Sequence, residues 1–285
     1  MTLELSGYVK LTHSRTLSRI VAIKGTMERM THIHTVEYGN KDNTSTVVLL
    51  SSIATTHESW SKQIPELAKH HRVIAVDHRG HGGSDVAQVA PGSATVKLLA
   101  QDILSALNRE GVDRFSVVGL SLGGAIAQYL AAYSGRVEKA VFACTATYLG
   151  GNEQWDERTR IAREEGMGPI ADMLIPNWFT PAFIDAHPGE VERIHDMVSA
   201  IDPEGYAQNG DALAKWDFAS HLDQITCPVL TIAATGDAGT GPDKLAEIAD
   251  GVAGPVESVV IEPGSHQVPI ENPAPFNEAL LKFLG

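Results

Sequence analysis

Cysteine is nearly missing from this sequence: Cys144 and Cys227 are the only two in 285 residues. Each sits in or beside an apolar run, so a disulfide-stapled scaffold is excluded and a reducing, cytoplasmic setting is expected. Basic residues are scarce too. Lys and Arg number 22 against 35 Asp and Glu, a formal net charge of -13. No basic patch of the size needed to hold nucleic acid or an anionic membrane surface can be assembled from them. Long apolar runs are absent as well. None approaches the roughly 20 residues of a membrane span, and no charged n-region followed by an apolar core opens the chain. Repeats and low-complexity segments are lacking. What remains is an ordinary globular composition, 43% hydrophobic and 20% charged, enough for one α/β domain carrying an inserted segment.

The first 29 residues differ from the rest. Lys10, Arg15, Arg19, Lys24 and Arg29 face only Glu4 and Glu28 there, and no helical or strand period runs through them. Met30-Thr31-His32 then opens a strand pattern. The expectation is that Met30 is the natural start and residues 1–29 an accessory or misread extension. Two acids and the want of a cleavage-like site argue against a targeting peptide. The mass of the native chain decides between them.

From Thr31 onward strand-like and helix-like segments alternate, which implies a mostly parallel sheet flanked by helices. Strands are expected at Thr46–Ser51, Arg72–Asp77, Phe115–Gly119, Val137–Ala143, Pro228–Ala234 and Val256–Ile261. Helices are expected at Trp60–His70, at Val96–Glu110 with Gly111 as its stop, at Leu122–Tyr133 and at Pro273–Leu284. Between about Gly150 and Asp217 the β-branched runs vanish and Trp155, Trp178 and Trp216 appear. That stretch reads as a helical insertion. The expected organisation is therefore a core of residues 30–149 and 218–285 with a helical cap at 150–217.

One motif carries chemistry. Gly119-Leu120-Ser121-Leu122-Gly123 lies between a strand and a helix, the context in which Gly-x-Ser-x-Gly becomes a nucleophile elbow. The turn is so tight that only small residues can flank the serine, and it exposes Oγ to a base. A dinucleotide turn would need Gly where Ser121 stands, and no P-loop lysine follows. Neither a cofactor nor a metal is expected. A base and an orienting acid should follow in the order Ser…Asp…His. His266, in Pro263-Gly264-Ser265-His266 after the last strand, is the base. Asp237 immediately follows a strand, as Asp217, Asp223 and Asp243 do not, and is the acid. The oxyanion hole needs two N–H donors. Leu122, next after the nucleophile, supplies one, and Ile53, in the loop Ser51–His57, the other. His32, His34, His70 and His71 read as structural or solvated, without metal-ligand spacing. His78 and His81, flanking the turn after Asp77, read as structural.

These residues together resemble the α/β-hydrolase superfamily across residues 31–285. Within it the chain is similar to the 3-oxoadipate enol-lactonases. The likeness rests on Ser51-Ser52-Ile53-Ala54-Thr55-Thr56, on Asp77-His78-Arg79-Gly80-His81-Gly82 and on the serine motif. In the insertion it rests on Trp155-Asp156-Glu157-Arg158, Gly166-Met167, Asn177 to Phe183 and Asp202 to Ala207. The resemblance implies a carboxylic ester hydrolase that opens a carboxylate-bearing enol-lactone through an acyl-enzyme on Ser121. Its partners would be an anionic lactone or ester and water, and the sequence leaves the oligomeric state open. Departures fall in the insertion, where Asn209-Gly210 and Leu213-Ala214-Lys215 replace a Cys-containing stretch and a Leu/Ile-Arg-Asp run. Val268-Pro269 replaces a Ser-Asn pair after the histidine. The substrate carboxylate then falls to Arg158, to Lys215 or to another insertion residue, with Trp155, Trp178 and Trp216 as further candidates for substrate contact. A carboxylesterase or a C–C bond hydrolase of aromatic catabolism shares the same core motifs, and a non-catalytic small-molecule receptor shares the fold.

Overall fold

Residues 31–285 are described by a computed structural model; the reading of residues 1–29 lies outside the described residues. Each short apolar run becomes a strand because its alternate side chains find a layer of helices on either side. Among the described residues seven strands form one sheet in the order β1-β3-β2-β4-β5-β6-β7. They are β1 (Thr35–Tyr38), β2 (Thr46–Leu50), β3 (Arg72–Val76), β4 (Phe115–Leu120), β5 (Val137–Ala143), β6 (Val229–Ala234) and β7 (Val256–Ile261). All neighbours are parallel except β1, which pairs antiparallel with β3 at the edge. Val48, Leu50, Ile74 and Val117 enter one apolar cluster, while Val47, Leu49, Val73 and Val118 enter the other on the opposite face. That is the period of two expressed as two cores.

Helices α1 (Ile64–Leu67), α2 (Val96–Arg109) and α3 (Leu122–Tyr133) connect the first strands. The amphipathic α2 buries Leu99, Ile103 and Leu107 and is capped by Thr95, whose side chain accepts from the Leu98 N–H. The expected helix over Trp60–His70 is instead a 3₁₀ turn, His57–Trp60, and the single turn of α1. Pro65 explains the break: it lacks an N–H and is tolerated only at a helix start. Among the described residues the first strand begins at Thr35, and Thr31 and His32 precede it outside any strand.

Five helices intervene between β5 and β6: α4 (Gly151–Glu165), α5 (Gly168–Trp178), α6 (Pro181–Ala186), α7 (Pro188–Ser199) and α8 (Pro203–Ala214). A lone antiparallel bridge between Tyr148 and Asp217 closes the base of this insertion. After β6 come α9 (Pro242–Gly251), β7, α10 (Val268–Glu271) and α11 (Pro273–Leu284). Residues 31–285 form one compact unit. No helix among the described residues is long and apolar enough to cross a membrane.

Candidate active site

The site is assembled where β4, β6 and β7 end. Ser121 joins β4 to α3 with φ 57° and ψ -113°. A non-glycine residue held there costs about 1–3 kcal/mol, strain of the kind that functional sites retain. The surroundings impose it: the Ser121 N–H donates to the Ala143 carbonyl at 3.0 Å, and its carbonyl accepts from Thr145 Oγ1 at 2.8 Å. A Cβ at Gly119 would overlap the Gly123 carbonyl, and one at Gly123 would overlap the Leu50 carbonyl. Small residues therefore flank the serine because backbone occupies the space. Ser121 is 7% exposed, at the head of α3, where the first N–H groups of a helix have no intrahelical acceptor.

Asp237 follows β6 and His266 follows β7, so parallel neighbours deliver both at one sheet edge. His266 Nδ1 donates to Asp237 Oδ2 at 2.8 Å. The Asp237 carboxylate also accepts from Thr240 Oγ1 at 2.7 Å and from the N–H groups of Gly239 and Thr240 at 3.1 and 2.9 Å. Burial pushes this carboxyl upward, but the charge and hydrogen bond of His266 and the Thr240 bonds outweigh it. Asp237 sits well below the usual carboxylate range. With Nδ1 committed to the acid, Nε2 is the imidazole nitrogen left for proton transfer. Trp178 stacks on His266, centroids 6.3 Å apart and planes at 24°, which restricts the ring from the other side.

Ile53 and Leu122 are placed by their backbones. Ile53 lies in a turn closed by the Thr55 N–H donating to the Ser52 carbonyl at 3.3 Å, and Ala54 within it has φ 62°. Leu122 begins α3 with its side chain fully buried. The Gly123 N–H, next in line, is taken by the Ser51 carbonyl at 3.1 Å, which ties this turn to the elbow.

A cavity of about 530 Å³ unites these groups. Ser121, Asp237, His266, Ile53, Trp155, Arg158 and Trp178 all line it. Trp155 is anchored by its indole N–H donating to the Leu149 carbonyl at 2.6 Å, and Arg158 lies over its ring at 5.1 Å. Among the described residues no carboxylate stands within ion-pair distance of Arg158, although Arg160 and Arg163 on the same helix are paired. Lys215 and Trp216, the other two candidates for substrate contact, do not line this cavity. They line a separate surface groove with Tyr129, Tyr133 and Phe218. The reason is the end of α8 at Ala214: Lys215 turns outward to the Gly92 carbonyl, and Trp216 stacks on Phe218 at 4.6 Å.

The alpha/beta hydrolase family matches residues 47–279 of this sequence. The chain belongs to that family. The hydrolase is 32% identical over 251 residues to 3-oxoadipate enol-lactonase 2 of Acinetobacter baylyi, a match covering 85% of this chain and 89% of that protein. A putative carbamate hydrolase of a Caulobacter species is 27% identical over 259 residues, covering 88% and 95%. The crystal structure of the enol-lactonase from Burkholderia xenovorans LB400 superposes with a TM-score of 0.85 at 32% identity, covering 89% of this hydrolase and 96% of that chain.

Several groups in the hydrolase escaped sequence reading. Thr240 completes the Asp237 shell; a threonine three residues after an aspartate is a turn signal, but not one that identifies a catalytic partner. Gln154, Asn177 and Lys244 line the cavity from three different helices, and no local pattern marks them. Cys144 is fully buried with φ 42°; burial, helped by Asp237 beside it, pushes its thiol well above the usual range. Among the described residues one trio could approach a metal ion, His34, His57 and Asp77, whose ligand atoms lie within 4.8 Å. In this structure the three side chains are joined by hydrogen bonds. Asp77 accepts from the His34 and His57 rings at 2.8 and 3.0 Å and from the His57 and Gly83 N–H groups at 2.7 and 3.0 Å.

Proposed function

We propose that this hydrolase opens a carboxylate-bearing enol-lactone, 3-oxoadipate enol-lactone to 3-oxoadipate, through an acyl-enzyme on Ser121. The observation that carries the reading is Arg158. It faces the same cavity as Ser121 and His266 without an acidic partner among the described residues, inside a protein of formal charge -13. A local cation in a negative protein is what selection of an anionic substrate requires. The enol-lactonase relatives, matched over most of both chains, support the same substrate class.

In this reading Ser121 Oγ attacks the ring carbonyl as His266 Nε2 takes its proton. The Ile53 and Leu122 N–H groups receive the developing oxyanion. Collapse expels an enolate, a better leaving group than an alkoxide, which takes a proton and tautomerises to the ketone. His266 then activates water against the acyl-enzyme, and Asp237 steadies each imidazolium. Helices α4–α8 act as the cap that selects substrate through Trp155, Arg158 and Trp178.

The test is a kinetic panel of 3-oxoadipate enol-lactone, p-nitrophenyl acetate and an alkyl carbamate. The lactone should give the highest kcat/KM, and Ser121→Ala should abolish its turnover. A preference for the plain ester or the carbamate overturns the lactonase assignment. Tight ligand retention without multiple turnover would make the protein a receptor.

A further inference from the structure

We propose that Asn209, on α8 of the helical insertion, is a positioning residue for the oxyanion turn, acting through the Arg79 carbonyl and His81. The proposal rests on the reading of the Ile53 N–H as an oxyanion donor.

The turn that carries Ile53 is not self-sufficient. Ala54, its third residue, has φ 62°, a place where glycine is the ordinary occupant. The strain is held from outside: the Ala54 N–H donates to His81 Nε2 at 3.0 Å. That bond requires a bare lone pair on Nε2, so the ring proton must sit on Nδ1. Nδ1 donates to the Arg79 carbonyl at 3.0 Å, which selects that tautomer. His78 braces the preceding residue in the complementary sense, its Nε2–H donating to the Ser51 carbonyl at 2.8 Å. His81 is fully buried and His78 nearly so, so water cannot substitute for either bond.

The Arg79 carbonyl has a second donor, and it comes from the insertion. Asn209 Nδ2 donates to it at 3.0 Å and to the Gly205 carbonyl, one turn back on α8, at 2.7 Å. Asn209 is fully buried, and its Oδ1 has no hydrogen-bond partner. The reversed amide would set Oδ1 against two carbonyl oxygens, so the orientation is forced. The neighbouring backbones touch: a Cβ on Gly80 would overlap Gly205, and one on Gly205 would overlap Gly80. On its far side the Arg79 guanidinium is clamped to Asp102 at 2.6 Å. A continuous chain thus runs from α8 through the Arg79 carbonyl and the His81 ring to the Ala54 N–H, all of it buried. Loss of Asn209 frees that carbonyl, loosens the tautomer lock and lets the strained turn relax, which displaces the Ile53 N–H. An N–H displaced from the oxyanion weakens the transition state and not the bound substrate.

The experiment is a double-mutant cycle of Asn209→Leu and His81→Asn, read by kcat, by KM and by affinity for a trifluoromethyl ketone whose hemiketal with Ser121 carries an anionic oxygen. Asn209→Leu should lower kcat and ketone affinity together by roughly tenfold, the worth of one ordinary hydrogen bond, with KM within twofold. The double variant should lose no more than His81→Asn alone, because both act on one chain. Multiplicative losses, or a change confined to thermal stability or KM, would overturn the coupling. If Asn209→Leu fails to fold, Asn209→Ala carries the same expectation. Ile53→Pro read against Ile53→Ala separates the two claims, since both lose the buried Ile53 side chain while only proline, which suits the second position of such a turn, also loses the N–H. If the proline variant keeps the ketone affinity of the alanine variant, the oxyanion reading fails; if it loses affinity beyond that while Asn209→Leu loses none, only the coupling fails.

Discussion

Replacing Arg158 by Gln tests the substrate assignment most directly. Gln keeps most of the side-chain length over Trp155 and removes the charge. A hydrogen bond between a guanidinium and a carboxylate contributes about 1.5–3 kcal/mol. Arg158 is half-buried and therefore partly screened, which places the effect near the low end, about 1.5–2 kcal/mol. At about 1.36 kcal/mol per decade that is roughly a 10–30-fold loss of kcat/KM on the anionic lactone. An uncharged ester of similar size should change by less than about twofold, since its only loss is the cation–π contact at 5.1 Å, an interaction worth about 0.5–1 kcal/mol to the fold rather than to selectivity. Steady-state kinetics on both substrates at fixed ionic strength measures the ratio. Equal losses on the two, or no loss on the lactone, would refute the assignment of Arg158 to the substrate carboxylate.

Other perturbations have equally definite outcomes. Asp237→Asn should lower kcat by about four orders of magnitude, the scale seen when a triad acid loses its carboxylate, while circular dichroism stays native. Gly123→Ala forces a Cβ against the Leu50 carbonyl and should destabilise the fold by about 1–3 kcal/mol in urea titrations, moving the elbow with it. The pH dependence of stability should carry a signature of His81. Burial is the main cause that lowers its pKa from 6.5 to about 4, with the neighbouring His78 adding to it. Between those values the unfolded chain binds more protons, so the contribution is complete above pH 6.5 and is lost as pH falls toward 4. The size is about 3 kcal/mol. His81→Asn should flatten the slope of unfolding free energy over that window, and an unchanged slope would show that His81 does not stay neutral in the fold.

The sheet, and the placement of Ser121, Asp237 and His266 around one cavity, were legible in the chain. Short apolar runs at β2 to β7 report burial on both faces, and β5, β7, α3 and α11 fall where their patterns place them. Ser121 was readable because tight backbone geometry admits only small neighbours, and Asp237 and His266 because each follows a strand that ends at the site. The helix expected over Trp60–His70 failed at Pro65, where local chemistry overrode an apolar period. What only the tertiary structure decided lies in contacts between distant segments. Arg158 and Lys215 are equally plausible cations in sequence, yet one lines the cavity and the other crosses to Gly92, because side-chain direction depends on where α4 and α8 pack. His81 and Asn209 lie 128 residues apart and meet at one carbonyl. Periodicity and turn chemistry act over a few residues, so they write the strands, the elbow and the order in which Ser121, Asp237 and His266 follow their strands. The walls of the cavity are written by packing across the whole chain.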